Sequence, residues 1–363
     1  MKDRKVAVVG AGIGGLTLRI ELRRRGVDVE IWEATHELRE VGAAVALSAN
    51  ATRFYLERFG LERELNADAA EVDGLIHRDG RTGEVVGRHH TKESYRERFG
   101  APYYGIHRAD LQRILSGAFG RDGLHLGKRV VGVDDGADRA RLRFEDGDTA
   151  EADLVIGVDG ARSGIRRQLL GYDDALFSGT VASRGIVSPE SLDLLPDPEA
   201  IQFWMGPGAH LLHYPIGSGE QNFFLVQRVP SPWPHTGWVA PVEDGTHLAG
   251  FEDWHPAVRQ MISAVPVTQR WALFHRPPLS CWSRGRVTLL GDAAHALVPH
   301  HGQGGQSMHR GRDRARGPTH RDRGLGRLAS SVRTTPPRSD PQGPVRLHHH
   351  RGRPASAGRA AGR

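Results

Sequence analysis

Val6-Ala7-Val8-Val9-Gly10-Ala11-Gly12-Ile13-Gly14-Gly15-Leu16 decides the fold. The β-branched run Val6 to Val9 reads as a short, fully buried strand. A G-x-G-x-x-G turn follows it directly. Leu16 to Arg25 reads as a helix with basic residues in its last turn, closed by Gly26. Val27 to Trp32 reads as a second strand. Strand, turn, helix and strand within about thirty residues make a parallel βαβ unit. Each glycine has its own task. Gly10 permits the tight turn, Gly12 lets the backbone approach a pyrophosphate, and Gly15 lets the helix pack close to the strand. The helix N-terminus then turns unpaired N–H groups and a positive dipole end toward the phosphates. Glu33 ends the second strand, where an acid accepts from ribose hydroxyls and repels a 2′-phosphate. The turn alone does not separate FAD from NAD.

Two further buried strands lie downstream, Asp153 to Val158 and Arg286 to Leu290, each ending in Gly/Asp. Ala109 to Phe119 reads as a helix. From about Phe177 to Arg276 strand-like runs (Val181–Val187, His210–Ile216, Asn222–Val229) are separated by Pro/Gly turns, and five of the seven tryptophans fall here. That texture predicts a separate, mostly antiparallel β layer. The fold class is therefore α/β, a Rossmann-like domain of residues 1–175 and 277–308 with a β-rich domain, 176–276, between its parts.

Charge and composition narrow the partners. The chain of 363 residues has a formal net charge of +6. Residues 309–363 hold fourteen arginines, no lysine and three acids, a net +11, which leaves −5 for residues 1–308. The basic character belongs to a tail, so nucleic acid is not an expected partner of the body. The tail also lacks the aromatic residues that base stacking needs. No run of eighteen apolar residues exists, and no helical membrane span is expected. The one cysteine, Cys281, rules out an internal disulfide and any cysteine-built metal site, and a reducing cytoplasm is the natural setting. His300-His301 superficially suggests a metal pair, but no third ligand is evident, and no metal is expected.

Asp159-Gly160-Ala161-Arg162-Ser163-Gly164-Ile165-Arg166 matches D-G-x-x-S-x-x-R, and Gly291-Asp292-Ala293-Ala294-His295 with Pro299 matches G-D-A-A-H-x-x-x-P. With the glycine turn, these three ordered motifs resemble the FAD-dependent aromatic hydroxylases, the single-component flavoprotein monooxygenases. The resemblance covers roughly residues 5 to 307 and is closest to the salicylate and hydroxybenzoate hydroxylase branch. It implies that Gly10, Gly12 and Gly15 hold the FAD pyrophosphate and Glu33 the adenosine ribose. Arg108, in His107-Arg108-Ala109-Asp110-Leu111, would lie against the FAD, and Asp159 at its nicotinamide-facing side. Asp292 would take FAD hydroxyls. Pro299 and the Gly302-Gln303-Gly304 loop would lie beside the isoalloxazine ring, and Arg39 would be a contact from a flavin-edge loop. Where the family commonly continues that loop with Pro-Asn-Ala, this chain has Ala49-Asn50-Ala51.

The activity so implied is hydroxylation of a small aromatic compound with NAD(P)H and O2 through a C4a-hydroperoxyflavin. His210-Leu211-Leu212-His213-Tyr214-Pro215 sits where the family's substrate strand faces the flavin. Alternation puts His210, Leu212 and Tyr214 on one face and His213 on the other. His210 would serve as base and Tyr214 as hydrogen-bond partner of a carboxylate or phenolate. A structural histidine and a core tyrosine are the plainer readings of the same residues. Arg184 would pair with an acidic substrate or simply be an exposed strand residue. An epoxidase, halogenase or reductase could share the fold. The W-x-W-x-I-P signature of flavin halogenases does not occur here.

Beyond Met308 the composition changes abruptly, and the segment is expected to stay disordered. The family continues after its G-Q-G loop with Gln-Ser-Ile-Glu-Asp-Ala, whereas this chain reads Gln306-Ser307-Met308-His309-Arg310-Gly311-Arg312. His309 to Arg312 can be encoded CAT-CGA-GGA-CGC. Read one base later, that string gives Ile-Glu-Asp-Ala. Residues 309–363 therefore read as a shifted frame, with a genuine disordered basic tail as the alternative; a shifted frame would make this chain an inactive remnant of an active body.

Overall fold

The computed structural model describes residues 4–38, 44–90, 92–118, 120–171 and 174–299. The expected Arg39, Gly302, Gly304 and the 309–363 tail lie outside the described residues.

A six-stranded sheet runs in the order Ser283–Arg284, Val287–Leu289, Leu154–Gly157, Lys5–Val9, Asp28–Trp32, Leu124–His125. Every neighbouring pair is parallel except the Ser283–Arg284 edge. Val8 lies between Ile156 and Ile31, and all three are fully buried. Such double-sided burial explains why these strands read as unbroken apolar runs. Helix Ile13–Arg24 packs on one face with the Arg108–Gly117 helix beside it. A small antiparallel sheet of Val130–Asp135, Ala140–Phe144 and Thr149–Ala152 adds Ala140, Leu142 and Phe144 to a core on the other side. The strand ends carry the chemistry. Gly10, Glu33, Asp159 and Asp292 all follow the carboxyl ends of parallel strands, where open α/β sheets bind ligands.

The second sheet has eight strands, in the order Val239–Pro241, Gln269–His275, Leu176–Val187, Gln221–Arg228, Ala209–Pro215, Ile201–Gly206, Gly74–Asp79, Val85–His90. One face is sealed by a core containing Trp204, Leu211, Phe223, Leu225, Trp254 and Met261. The strand alternation turns Leu212, Tyr214 and Phe224 to the opposite face. The sheet differs from the expected 176–276 unit in one respect: it includes residues 74–90. Phe203 stands opposite His77, and their rings stack at 5.1 Å. Local hydrophobic pattern identifies a strand but not a pairing partner more than a hundred residues away.

Candidate active site

One cavity of about 1300 Å³ joins the two sheets. Most small-ligand sites enclose about 300–1000 Å³, so this one has room for a dinucleotide and a second molecule. Gly10, Gly12, Glu33, Arg108, Asp159 and Asp292 line one part of it. Leu212, Tyr214, Asn222, Phe224, Arg184 and Pro299 line another.

The glycine turn is shaped by contacts that only glycine allows. Gly10 has φ +104°, and a side chain there would sit 2.6 Å from the Val158 carbonyl oxygen. At Gly15 a side chain would meet the Gly10 carbonyl oxygen at 1.9 Å. At Gly12 it would enter open space, with nothing within 4 Å. Gly12 and Gly14 therefore present bare backbone to the cavity, while Gly15 stands behind the turn and is absent from the lining. The first turn of the following helix carries no acid, which suits an anion at that end. Buried Gln112 donates to the Ala11 carbonyl at 3.1 Å and steadies the turn from the neighbouring helix.

Glu33 is already oriented. One carboxylate oxygen accepts from the Ala11 N–H at 2.8 Å, the other from the N–H and hydroxyl of Thr35 at 2.9 and 3.0 Å. Asp159 accepts from the Ser163 hydroxyl at 2.5 Å and the Ile165 N–H at 3.1 Å, at the start of helix Gly164–Leu170. Burial raises its carboxyl above the usual range, and these donors oppose the rise. Burial also raises Asp292, against the pull of His295 and Arg108.

Arg166 was legible as part of a motif, yet its task was not. It is 1% exposed and donates to the carbonyls of Ala293 and Ala294 at 3.2 and 2.9 Å. It thereby ends the short Asp292–His295 helix. A buried arginine needs several acceptors, and the last carbonyls of a helix supply them.

Tyr214 is 5% exposed and packs against Gly105, where any side chain would meet the Pro215 carbonyl oxygen at 2.0 Å. Burial, with Tyr103 nearby, raises its hydroxyl above the ordinary phenol value, and Arg108 pulls the other way. At neutral pH Tyr214 is thus a hydrogen-bond donor. His210 shares its face but stands two pairs outward, beyond Leu212 and opposite Val226 and Met205, and is not among the cavity's lining residues. His213 points to the other face and meets Gln221 at 3.2 Å. Asn222 and Phe224 were missed in the sequence, although alternation along Asn222–Val229 places them beside Tyr214 and Leu212.

The lining matches an independent finding. A family model described as an FAD binding domain matches residues 3–307. The chain belongs to this family of FAD-dependent monooxygenases. Among curated relatives of the family, 3-amino-4-hydroxybenzoate 2-monooxygenase of Streptomyces cremeus is 37% identical over 304 residues, covering 84% of this chain and 75% of its own. The 6-hydroxynicotinate 3-monooxygenase of Bordetella bronchiseptica is 34% identical, covering 83% and 78%. The Klebsiella pneumoniae HpxO structure with FAD and uric acid superposes with a TM-score of 0.73 at 29% identity, covering 85% of this chain and 77% of that one. The bare backbone at Gly12 and Gly14, the oriented Glu33 and the cavity volume fit FAD.

Proposed function

We propose that this chain hydroxylates a small, hydroxyl-bearing aromatic ring using NAD(P)H and O2, with FAD held by the glycine turn, Glu33, Arg108 and Asp292. FAD, when bound, supplies the redox and oxygen-activating chemistry, which side chains cannot provide. The continuity of one cavity from the glycine turn to the Leu212–Tyr214 face carries this reading. The relatives named above act on hydroxybenzoate and hydroxynicotinate rings, which supports a phenol-like substrate.

The chain's residues divide the remaining work. Leu212 and Phe224 form an apolar floor that orients the ring and excludes water. Tyr214 donates its O–H to the substrate oxygen. His210 lies at the outer end of the same face, outside the cavity lining, so the phenol proton is not assigned to it. Loss of the phenol proton makes the neighbouring ring carbon electron-rich and reactive toward an electrophilic oxygen. A cytoplasmic setting accords with the single Cys281.

The test is NAD(P)H oxidation by the FAD-loaded chain, with and without phenolic rings. Stimulated oxidation with hydroxylated product supports the reading. Oxidation that yields only reduced acceptor, with no oxygenated ring, overturns it.

A second reading concerns residues 309–363. The family match ends at residue 307, next to the point where the arginine-rich composition begins. This supports the shifted-frame account, in which the chain lacks the family's next helix and holds FAD weakly. The coding DNA tests it: a frame shifted after Met308 that meets an early stop, or encodes no amphipathic helix, overturns it.

A further inference from the structure

We propose that Asn222 determines specificity at this site by taking a second hydrogen-bonding group of the ring, apart from the oxygen that Tyr214 holds. Rings that carry such a second donor, rather than simple phenols, are then the ligands this pocket selects. The proposal rests on the reading above, that a ring occupies the Leu212–Phe224 floor.

Asn222 is 5% exposed and lines the cavity. It stands opposite Tyr214 on one neighbouring strand and Ile186 on the other. Residues paired in this way share one face of a sheet. The neighbours on that face are apolar: Ile186 and Phe224 pack against a cluster that contains Tyr214, Leu212 and Ala46. In such a place an amide normally spends its N–H and C=O groups on partners. Yet among the described residues no hydrogen bond reaches the Asn222 side chain, and neither of its polar atoms is sealed inside the protein. An amide kept for the fold would be bound to it. This one opens onto the cavity instead.

The amide supplies what the rest of this face lacks. Tyr214 keeps its proton and donates. Arg184, on the same face, is a donor only, and Leu212, Phe224 and Ile186 offer nothing. The Asn222 carbonyl oxygen is an acceptor, and its NH2 group adds two donors. Directly opposite residues have Cβ atoms about 5 Å apart. A tyrosine hydroxyl stands a whole ring farther from the sheet than an asparagine amide. The two groups are therefore separate contacts, and they match two substituents of one ring rather than one shared oxygen. A ring without the second substituent leaves the amide unpaired where it has driven out water. Sites built on a buried hydrogen bond reject such analogues strongly.

The experiment is calorimetric titration of the FAD-loaded full chain, under nitrogen, with the benzenediol isomers and with the matching cresols, in which a methyl replaces one hydroxyl. At least one diol is expected to bind the wild-type chain about tenfold or more tightly than its cresol. Asn222→Leu keeps the shape and removes donor and acceptor together. It should weaken that diol about tenfold and leave the cresols within about threefold. Asn222→Asp keeps the acceptor and should retain the preference. The thermal midpoint of FAD-free Asn222→Leu should be no lower than that of the wild type, since an unpaired amide gives way to an apolar side chain. A midpoint several degrees lower marks an asparagine kept for the fold and overturns the proposal. Equal binding of every diol and its cresol, a preference that survives in Asn222→Leu, or one that is lost in Asn222→Asp overturns it as well. Binding of none of these rings by the wild-type chain overturns the ring-binding reading together with it.

Discussion

Arg166 reaches across 128 residues of chain to donate to the Ala294 carbonyl at 2.9 Å. The contact joins the two downstream motifs into one support for Asp292. Neither side chain meets the cavity, yet the position of Asp292 depends on both ends of this hydrogen bond.

Arg166→Met keeps much of the side-chain volume and removes the donors. It leaves the carbonyls of Ala293 and Ala294 short of a partner in a buried place. Loss of about 2–4 kcal/mol of stability is expected, with weaker FAD binding. Thermal unfolding of the variant, with and without FAD, measures both.

Gly12→Ala and Gly15→Ala should separate binding from folding. A methyl at Gly15 collides with the Gly10 backbone, which cannot yield, so the chain loses stability even without FAD. A methyl at Gly12 meets nothing in the protein and projects into the space where the pyrophosphate would lie. Its apo stability should fall by no more than about 1 kcal/mol, while FAD affinity drops at least tenfold. Denaturant midpoints and flavin fluorescence quenching distinguish the two variants.

The glycine turn, the parallel strands and the acid at Glu33 were legible because each depends on local chemistry: steric room, two-sided burial, a strand end. Gly15 shows the limit of motif reading. It belongs to the fingerprint, but the cavity wall is made by Gly10, Gly12 and Gly14. The face shared by Leu212 and Tyr214 followed from strand period alone. Phe224 and Asn222 join it only through cross-strand register, and the 74–90 hairpin only through distant pairing. Local periodicity does not encode such long-range geometry. The support from Arg166 stayed hidden for the same reason.

Tyr214→Phe removes a donor that burial keeps protonated. Substrate affinity or the fraction of NAD(P)H coupled to product should fall about tenfold. His210→Asn should leave turnover nearly unchanged, since His210 lies outside the cavity lining. A series of substituted phenols, compared by turnover, checks this; a loss that grows as the phenol becomes less acidic would return His210 to proton transfer.

His213 gives the fold a defined acid limb. Burial, reinforced by Arg78, pushes its pKa down to about 4, while the unfolded chain keeps about 6.5. The unfolded state therefore binds the proton first as pH falls. The stability that neutral His213 contributes is present above about pH 6.5 and is lost as pH falls toward 4, by about 3 kcal/mol. His213→Gln should flatten that part of the stability profile, as read by urea midpoints between pH 7 and 4.

FAD and an aromatic ring are proposed to share one cavity for oxygen transfer. The most direct test supplies 18O2, NAD(P)H and a hydroxylated aromatic acid to the FAD-loaded chain, and to the form whose codons after Met308 are read one base later. Mass spectrometry of the product is predicted to show one 18O atom in a new ring hydroxyl, made by at least one of the two forms. NAD(P)H consumption by both forms with no labelled product, or label arising only from water, would contradict the account.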